Sequence, residues 1–169
     1  MPRTLPGLRP GTSDDAAEIA TLSRDLIERG LGWSWTAARV ARALRNPAVA
    51  TVVAAAPACI AGFALMHLGD EHAHLSLLAV RPEWQRAGVG RQLLTWLEES
   101  ALVAGIGVVR LELRAGNRAA HRFYARLGFV ETARVPAYYG GVETAVRMAR
   151  DIRRGAPGPV PDIGRLLSR

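Results

Sequence analysis

The sequence has no lysine: all 22 of its Lys-plus-Arg positions are arginine. That alone excludes the Gly-Lys-Ser/Thr ending of a Walker phosphate loop. It has one cysteine, Cys59, which cannot form an internal disulfide and reads as a small buried hydrophobe in an apolar stretch. Aromatic residues make up only 6% of the chain, few for a protein that would stack on nucleic-acid bases. The arginines give a net charge of +7. They are scattered along the chain and form no compact basic patch, so the charge suits a phosphate-bearing ligand better than a nucleic acid. The apolar stretches 50–56 and 60–67 each fall short of the roughly 18 to 20 residues needed to cross a bilayer, and Pro57 separates them. The start, MPRTLPGLRPGTSDD, has no apolar signal core, so a cytoplasmic protein without a membrane anchor is expected.

What is present fits one globular domain. The chain has 169 residues, 49% of them hydrophobic, enough for a sizeable core. Ser13-Asp14-Asp15 caps a helix that the spacing of Ile19, Leu22 and Leu26 carries to about Arg29, with Gly30 closing it. Thr36 caps a shorter helix that ends at Pro47. Three strands follow over 50–56, 60–67 and 73–80. Val89, Leu93, Leu97 and Ala101 recur every four residues, so a helix runs from about Gly88 to Ala104. Residues 108–114 alternate, with Val109, Leu111 and Leu113 on one face and Arg110, Glu112 and Arg114 on the other. Asn117 caps a helix to Leu127, with Gly128 at its left-handed end. Strands over 129–135 and 143–148 complete the order β-α-α-β-β-β-α-β-α-β-β. The domain is expected over 1–150, followed by a Pro/Gly/Arg-rich tail over 151–169.

The stretch QRAGVGRQLL, residues 85–94, combines arginines, two glycines and the start of a helix. The first N–H groups of a helix have no partner inside it and lie at the positive end of its dipole. Gly88 and Gly90 let an anion approach the backbone, and Arg86 and Arg91 add charge. This is not the three-glycine dinucleotide fingerprint.

Gln85-Arg86-Ala87-Gly88-Val89-Gly90 resembles the Q/R-x-x-G-x-G/A signature of the GNAT N-acetyltransferase superfamily. Leu78-Ala79-Val80-Arg81-Pro82 resembles the end of that family's fourth strand. Asn117-Arg118-Ala119-Ala120 with Phe123-Tyr124-Ala125-Arg126-Leu127-Gly128-Phe129 resembles its N-x-x-A…F/Y-Y-x-x-x-G-F block. The resemblance covers about residues 5–150. It implies a mixed α/β (α+β) fold, a mostly antiparallel twisted sheet of six to seven strands with helices on both faces. It implies acetyl-CoA as co-substrate, seated by Arg86, Ala87, Gly88, Val89, Gly90 and Arg91, with the backbone of Leu78, Ala79 and Val80 pairing with the pantetheine arm. No metal is implied, and no motif for a covalent enzyme intermediate is present.

Acetyl transfer to an amine needs a base for the incoming ammonium and an acid for the departing thiolate. Asn117 and Tyr124 lie seven residues apart, about 700° of helical turn, so they share a face. By the resemblance Asn117 contacts the cofactor and Tyr124 is the acid. Glu112, read from its neighbours alone, belongs to a solvated or arginine-paired strand face. Leu111-Glu112-Leu113-Arg114 is also similar to a strand of bacterial ribosomal-protein N-terminal alanine acetyltransferases, in which the glutamate acts as base through water. Glu71, His72 and His74 are the alternative bases. Trp33, Trp35, Tyr138 and Tyr139 fall where the resemblance places the acceptor groove. The expected acceptor is a protein N-terminus or a small-molecule amine, with the enzyme a monomer or homodimer. A non-catalytic acyl-CoA sensor would keep Arg86, Gly88 and Gly90 but need neither Glu112 nor Tyr124.

Overall fold

The computed structural model describes residues 4–154. Its sheet has seven strands: β1 (Gly7–Pro10), β2 (Val49–Ala55), β3 (Ile60–Leu68), β4 (Ala73–Val80), β5 (Val108–Arg114), β6 (Val130–Tyr139) and β7 (Glu143–Asp151). They lie in the order β1-β2-β3-β4-β5-β7-β6. Every neighbouring pair is antiparallel except β4 and β5. Four α-helices connect them: α1 (Ala16–Leu22), α2 (Ala37–Arg45), α3 (Val89–Val103) and α4 (Arg118–Arg126). The expected mixed α/β architecture is present.

Each face of the sheet buries its own core. Helices α1 and α2 set Ile19, Leu22 and Val40 against Val53, Phe63, Leu65 and Leu77. Helix α3 sets Val89, Leu93, Leu97 and Ala101 against Ala64, Met66 and Leu75 on the other face, and Tyr124 of α4 joins this second core. The four α3 residues that recur every four positions are each at most 1% exposed, so the stripe read from the sequence is the buried one. Both expected caps form: Thr36 accepts from the Arg39 N–H and Asn117 from the Ala120 N–H. No helix of the described residues is long and apolar enough to cross a membrane.

Three segments differ from expectation. The first helix is not continuous: a 3-10 turn (Ser13–Asp15) precedes α1, and a π turn (Ser23–Ile27) follows it. The widened turn places the Glu28 N–H on the Ser23 carbonyl, 2.8 Å away, and lets Glu28 fold inward. Strand β6 continues past Pro136 to Tyr139 through an irregular stretch in which Ala137 has φ 55°. Strand β7 continues to Asp151, and Ile152 is buried in the core. The rest of the expected tail, 155–169, lies outside the described residues. Cys59 is half-buried in the β2–β3 turn, because the apolar strand ends before it.

Candidate active site

The parallel pairing of β4 with β5 covers only Ala73↔Val109 and His74↔Arg110. Beyond that point the two strands part. Strand β4 carries a bulge there: Leu65 opposes Leu77 while Met66 opposes Leu75, so Ser76 is the extra residue. A bulge bends its strand and reverses which side chains face which layer. Ala73 and Leu75 pack toward α3, whereas Leu77 and Ala79 pack toward α1 and α2. Leu78 and Val80 lie against the α3 and α4 core. The result is a V-shaped gap, with the end of β4 on one side and Glu112–Arg114 on the other.

The start of α3 stands at the end of β4. Gly88 is its N-cap, with φ 84° and no side-chain cap. The Gln92 N–H is bonded to the Gly88 carbonyl at 3.1 Å, so the N–H groups of Val89, Gly90 and Arg91 precede the first helical bond. Arg86, Ala87 and Arg91 are exposed. A phosphate fits this arrangement of free donors and positive charge. The two glycines do different work. Gly88 supplies the left-handed backbone, and a Cβ there would meet nothing within 4 Å. A Cβ at Gly90 would lie 3.2 Å from the Phe123 ring, so Gly90 lets α4 approach α3. Gly88→Val puts a β-branched residue at positive φ, at a cost of about 1–2 kcal/mol, and crowds the helix start where the resemblance seats the cofactor. Its KM for acetyl-CoA should rise by about tenfold, measured by initial rates at fixed acceptor.

Glu112 is not a freely solvated residue. Its side chain is 20% exposed, and its Oε2 lies 2.6 Å from His74 Nε2. The Arg147 Nε lies 3.3 Å from Oε1. The hydrogen bond from His74 holds the Glu112 carboxyl below the ordinary carboxylate range; burial opposes this and Arg147 assists it. His74 Nδ1 is 3.2 Å from Ser76 Oγ, and Ser76 Oγ is 2.8 Å from His67 Nδ1. With His74 Nε2–H donating to Glu112, Nδ1 accepts from the Ser76 hydroxyl and Ser76 accepts from His67 Nδ1–H. A continuous chain, Glu112–His74–Ser76–His67, therefore runs along the α1/α2 face to the exposed His67.

Of the alternative bases, His74 is joined to Glu112 rather than competing with it. His72 lines the same cavity but is not in the chain. Glu71 is exposed in the preceding turn. Neither His67 nor Ser76 stood out in the sequence. His67 pairs with His74 across the hairpin, and that register could have flagged it. Nothing marks the Ser76 bulge.

Tyr124 lies on the opposite side of β5. It belongs to the buried core that holds Leu111 and Leu113, and its ring packs between Phe123 (centroids 5.0 Å) and Phe129 (5.5 Å). Burial pushes the phenol above its ordinary value of 10, so it keeps its proton at neutrality. Glu112 and Tyr124 thus approach the gap from opposite faces of one strand.

Two loops border the Glu112 side. The first is anchored by Glu28, 6% exposed, whose carboxylate accepts from the Ser34 N–H and hydroxyl, the Trp35 N–H and the Ser23 hydroxyl. Burial pushes the Glu28 carboxyl up, but these bonds outweigh it and leave it below 4.5. A depressed folded-state pKa adds stability above the unfolded value that is lost as pH falls. Glu28→Gln should cost about 2 kcal/mol at pH 7. The deficit in Tm should shrink as the pH drops below the carboxylate range, which melts at several pH values will show. Trp35 is buried in the core under Arg39, whose guanidinium is 3.9 Å from the ring centre. Trp33 is 43% exposed and remains the aromatic available to a ligand. In the second loop Tyr138 is 46% exposed. Burial, and next the charge of Glu112, push Tyr139 up to about 12.

A profile of the acetyltransferase (GNAT) family matches residues 19–129. The ribosomal protein bS18-alanine N-acetyltransferase of Escherichia coli K12 is 38% identical over 96 residues, 55% of this chain and 65% of that protein; this chain therefore spans just under two thirds of that relative. The crystal structure of the ribosomal-protein-S18-alanine N-acetyltransferase from Escherichia coli superposes with a TM-score of 0.74 at 26% identity, over 92% of this chain and 97% of that one. An aminoalkylphosphonate N-acetyltransferase of Salmonella typhimurium LT2 is 29% identical over 132 residues, 74% of this chain and 85% of that protein. The profile covers well over half of the chain, and the fold agrees with it: the chain belongs to the GNAT acetyltransferase family.

Proposed function

We propose that this protein transfers an acetyl group from acetyl-CoA to a primary amine by direct attack, with one catalytic unit over residues 1–150 working in the cytoplasm as a monomer or homodimer. The observation that carries the reading is the gap between β4 and β5, with an anion-ready helix start at one end and the Glu112–His74 pair on its wall. The start of α3, with Arg86 and Arg91, holds the pyrophosphate. The backbone of Leu78–Val80 pairs with the pantetheine amides and places the thioester in the gap. Asn117, besides capping α4, contacts the cofactor in this reading.

The proton balance assigns the remaining groups. An ammonium acceptor loses two protons on becoming an amide; one ends on the leaving sulfur and one reaches solvent. Glu112, directly or through water, takes the proton that must leave before the nitrogen lone pair attacks the carbonyl carbon. The C–N bond forms, the C–S bond breaks, and the sulfur departs as thiolate. An α-ammonium has a pKa of about 8 and a carboxylate about 4, so Glu112 is a relay rather than a resting place for the proton. The hydrogen bonds from His67 through Ser76 and His74 all point toward Glu112 and hold its carboxylate in place, so the proton passes from Glu112 to solvent. Tyr124 donates its hydroxyl hydrogen to the sulfur. A free thiol has a pKa of about 8.5, below that of the buried phenol, so the main contribution of Tyr124 is a hydrogen bond to the developing thiolate.

The first acceptor reading is the α-amine of a protein N-terminus, in keeping with the alanine acetyltransferase relative and with Trp33 and Tyr138 exposed on their two loops. The second is a small amine. It is favoured by the aminoalkylphosphonate acetyltransferase relative, of which this chain spans the larger share. Mass analysis of products from a mixture of Ala- and Ser-starting peptides and small amines separates the two. Acetylated peptides support the first reading; acetylated small amines alone replace it with the second.

A further inference from the structure

The cavity beside Glu112 carries more positive charge than proton removal needs. It has a volume of about 480 Å³, and its lining includes His72, His74, Arg110, Glu112, Thr132 and Arg147. Arg110 and Glu112 share one face of β5, about 7 Å apart along the strand. His74 lies beside Arg110 in the β4–β5 ladder, and Arg147 beside Glu112 in the β5–β7 ladder. The charges do not cancel. Glu112 is shared by His74 and Arg147. Arg110 has no ion pair among the described residues, and its Nε is buried with no acceptor, a costly state for a charged donor. Burial and the nearby Arg110 hold His72 below its ordinary value, with His74 adding to the effect and Glu71 opposing it. A ligand whose only charge is an ammonium is repelled by such a lining.

We propose that this cavity binds an anionic group, a carboxylate or phosphonate, carried by the acceptor amine, with Arg110 as its main partner and Arg147 and a His72 N–H as further donors. The proposal rests on the amine-acetylation reading and names the substrate class of that site. An anion beside Arg110 and an amine beside Glu112 suit a molecule in which the two lie a few bonds apart. A short aminoalkyl carboxylate or phosphonate meets that condition, and so does a peptide with an acidic residue next to its N-terminus.

The test compares kcat/KM within two matched pairs, 3-aminopropylphosphonate against propylamine, and a Ser-Asp-starting peptide against its Ser-Asn counterpart. The anionic member of at least one pair should be preferred by about tenfold. The pair that shows the preference identifies the source. Arg110→Gln should bring that ratio close to unity, and Arg110→Lys should restore part of it. Equal rates within both pairs, or a preference that survives Arg110→Gln, overturns the proposal. Calorimetric titration of methylphosphonate into the protein saturated with coenzyme A gives a readout independent of turnover. Binding that Arg110→Gln weakens by about tenfold supports the pocket even if no amine is acetylated, an outcome that would remove only the acetylation reading. No binding and no turnover remove both.

Discussion

Glu112→Gln is expected to lower kcat/KM for acetyl transfer at pH 7 by about 10²-fold, with the loss narrowing as the pH rises past the pKa of the acceptor amine. His74 and Arg147 bond different oxygens of the carboxylate, so the glutamine oxygen can still accept from one of them; the shape is kept, one of the two bonds goes, and the basicity is lost. An opposing effect limits the damage. Removing the one carboxylate leaves Arg147 and Arg110 uncompensated, which disfavours the ammonium and raises the fraction of free amine. The wild-type profile carries its own signature. Because His74, with help from Arg147, holds Glu112 below 4.5, Glu112 stays ionised well below neutrality, and an acid limb near neutrality belongs to the acceptor amine rather than to Glu112. Moving a proton from an α-ammonium, of pKa about 8, to a carboxylate held below 4.5 is uphill by at least about 3.5 pH units, at least about 5 kcal/mol. That fits inside the barrier of about 16 kcal/mol that a turnover of about 10 per second implies. Rate profiles of both proteins from pH 6 to 10 check this. A parallel loss at every pH would assign Glu112 a structural role.

Tyr124→Phe should reduce kcat by about 10²-fold while leaving the KM for acetyl-CoA nearly unchanged. The substitution removes one oxygen from a ring that is 8% exposed and packed between Phe123 and Phe129. Ring packing survives, so Tm should move by only a few degrees. What disappears is the hydrogen bond to the leaving sulfur, which matters only as the C–S bond breaks; such an interaction appears in kcat rather than in binding. Burial raises the phenol above 10, so no alkaline limb below that pH should vanish in the variant. An unchanged kcat would take the acid role from Tyr124 and leave solvent to protonate the thiolate.

The elements that could be read from the sequence are those specified locally. The four-residue recurrence in α3, the alternation of β5 and the caps Thr36 and Asn117 need no knowledge of what lies across the sheet. The glycine-opened helix start was legible for the same reason, since Gly88 and its arginines are contiguous. The site on the other face was not. Read locally, Glu112 is an arginine-flanked position on a solvated strand face, and the structure does pair it with Arg147. Its link to His74 depends on β4 and β5 being neighbours, and the chain to His67 depends on a bulge that pushes Ser76 out of register. Pairing register is a long-range property, and a single extra residue leaves the apolar pattern of 73–80 almost unchanged. The π turn before Glu28 escaped for a similar reason: its stabilising bonds go to Ser34 and Trp35, beyond the helix it ends. Trp35 packs in the core, as aromatics under a loop more often do, and β6 reaches Tyr139 because the chain bulges at Pro136 and Ala137 instead of stopping.

The most direct measurement is release of free thiol from acetyl-CoA, followed with and without an amine acceptor and matched against N-acetylated product. The expected result is thiol release that requires the amine, equals the product formed and falls in both Glu112→Gln and Tyr124→Phe. Tight coenzyme A binding with no release on any amine would instead make the protein an acyl-CoA sensor and contradict the catalytic reading of the gap between β4 and β5.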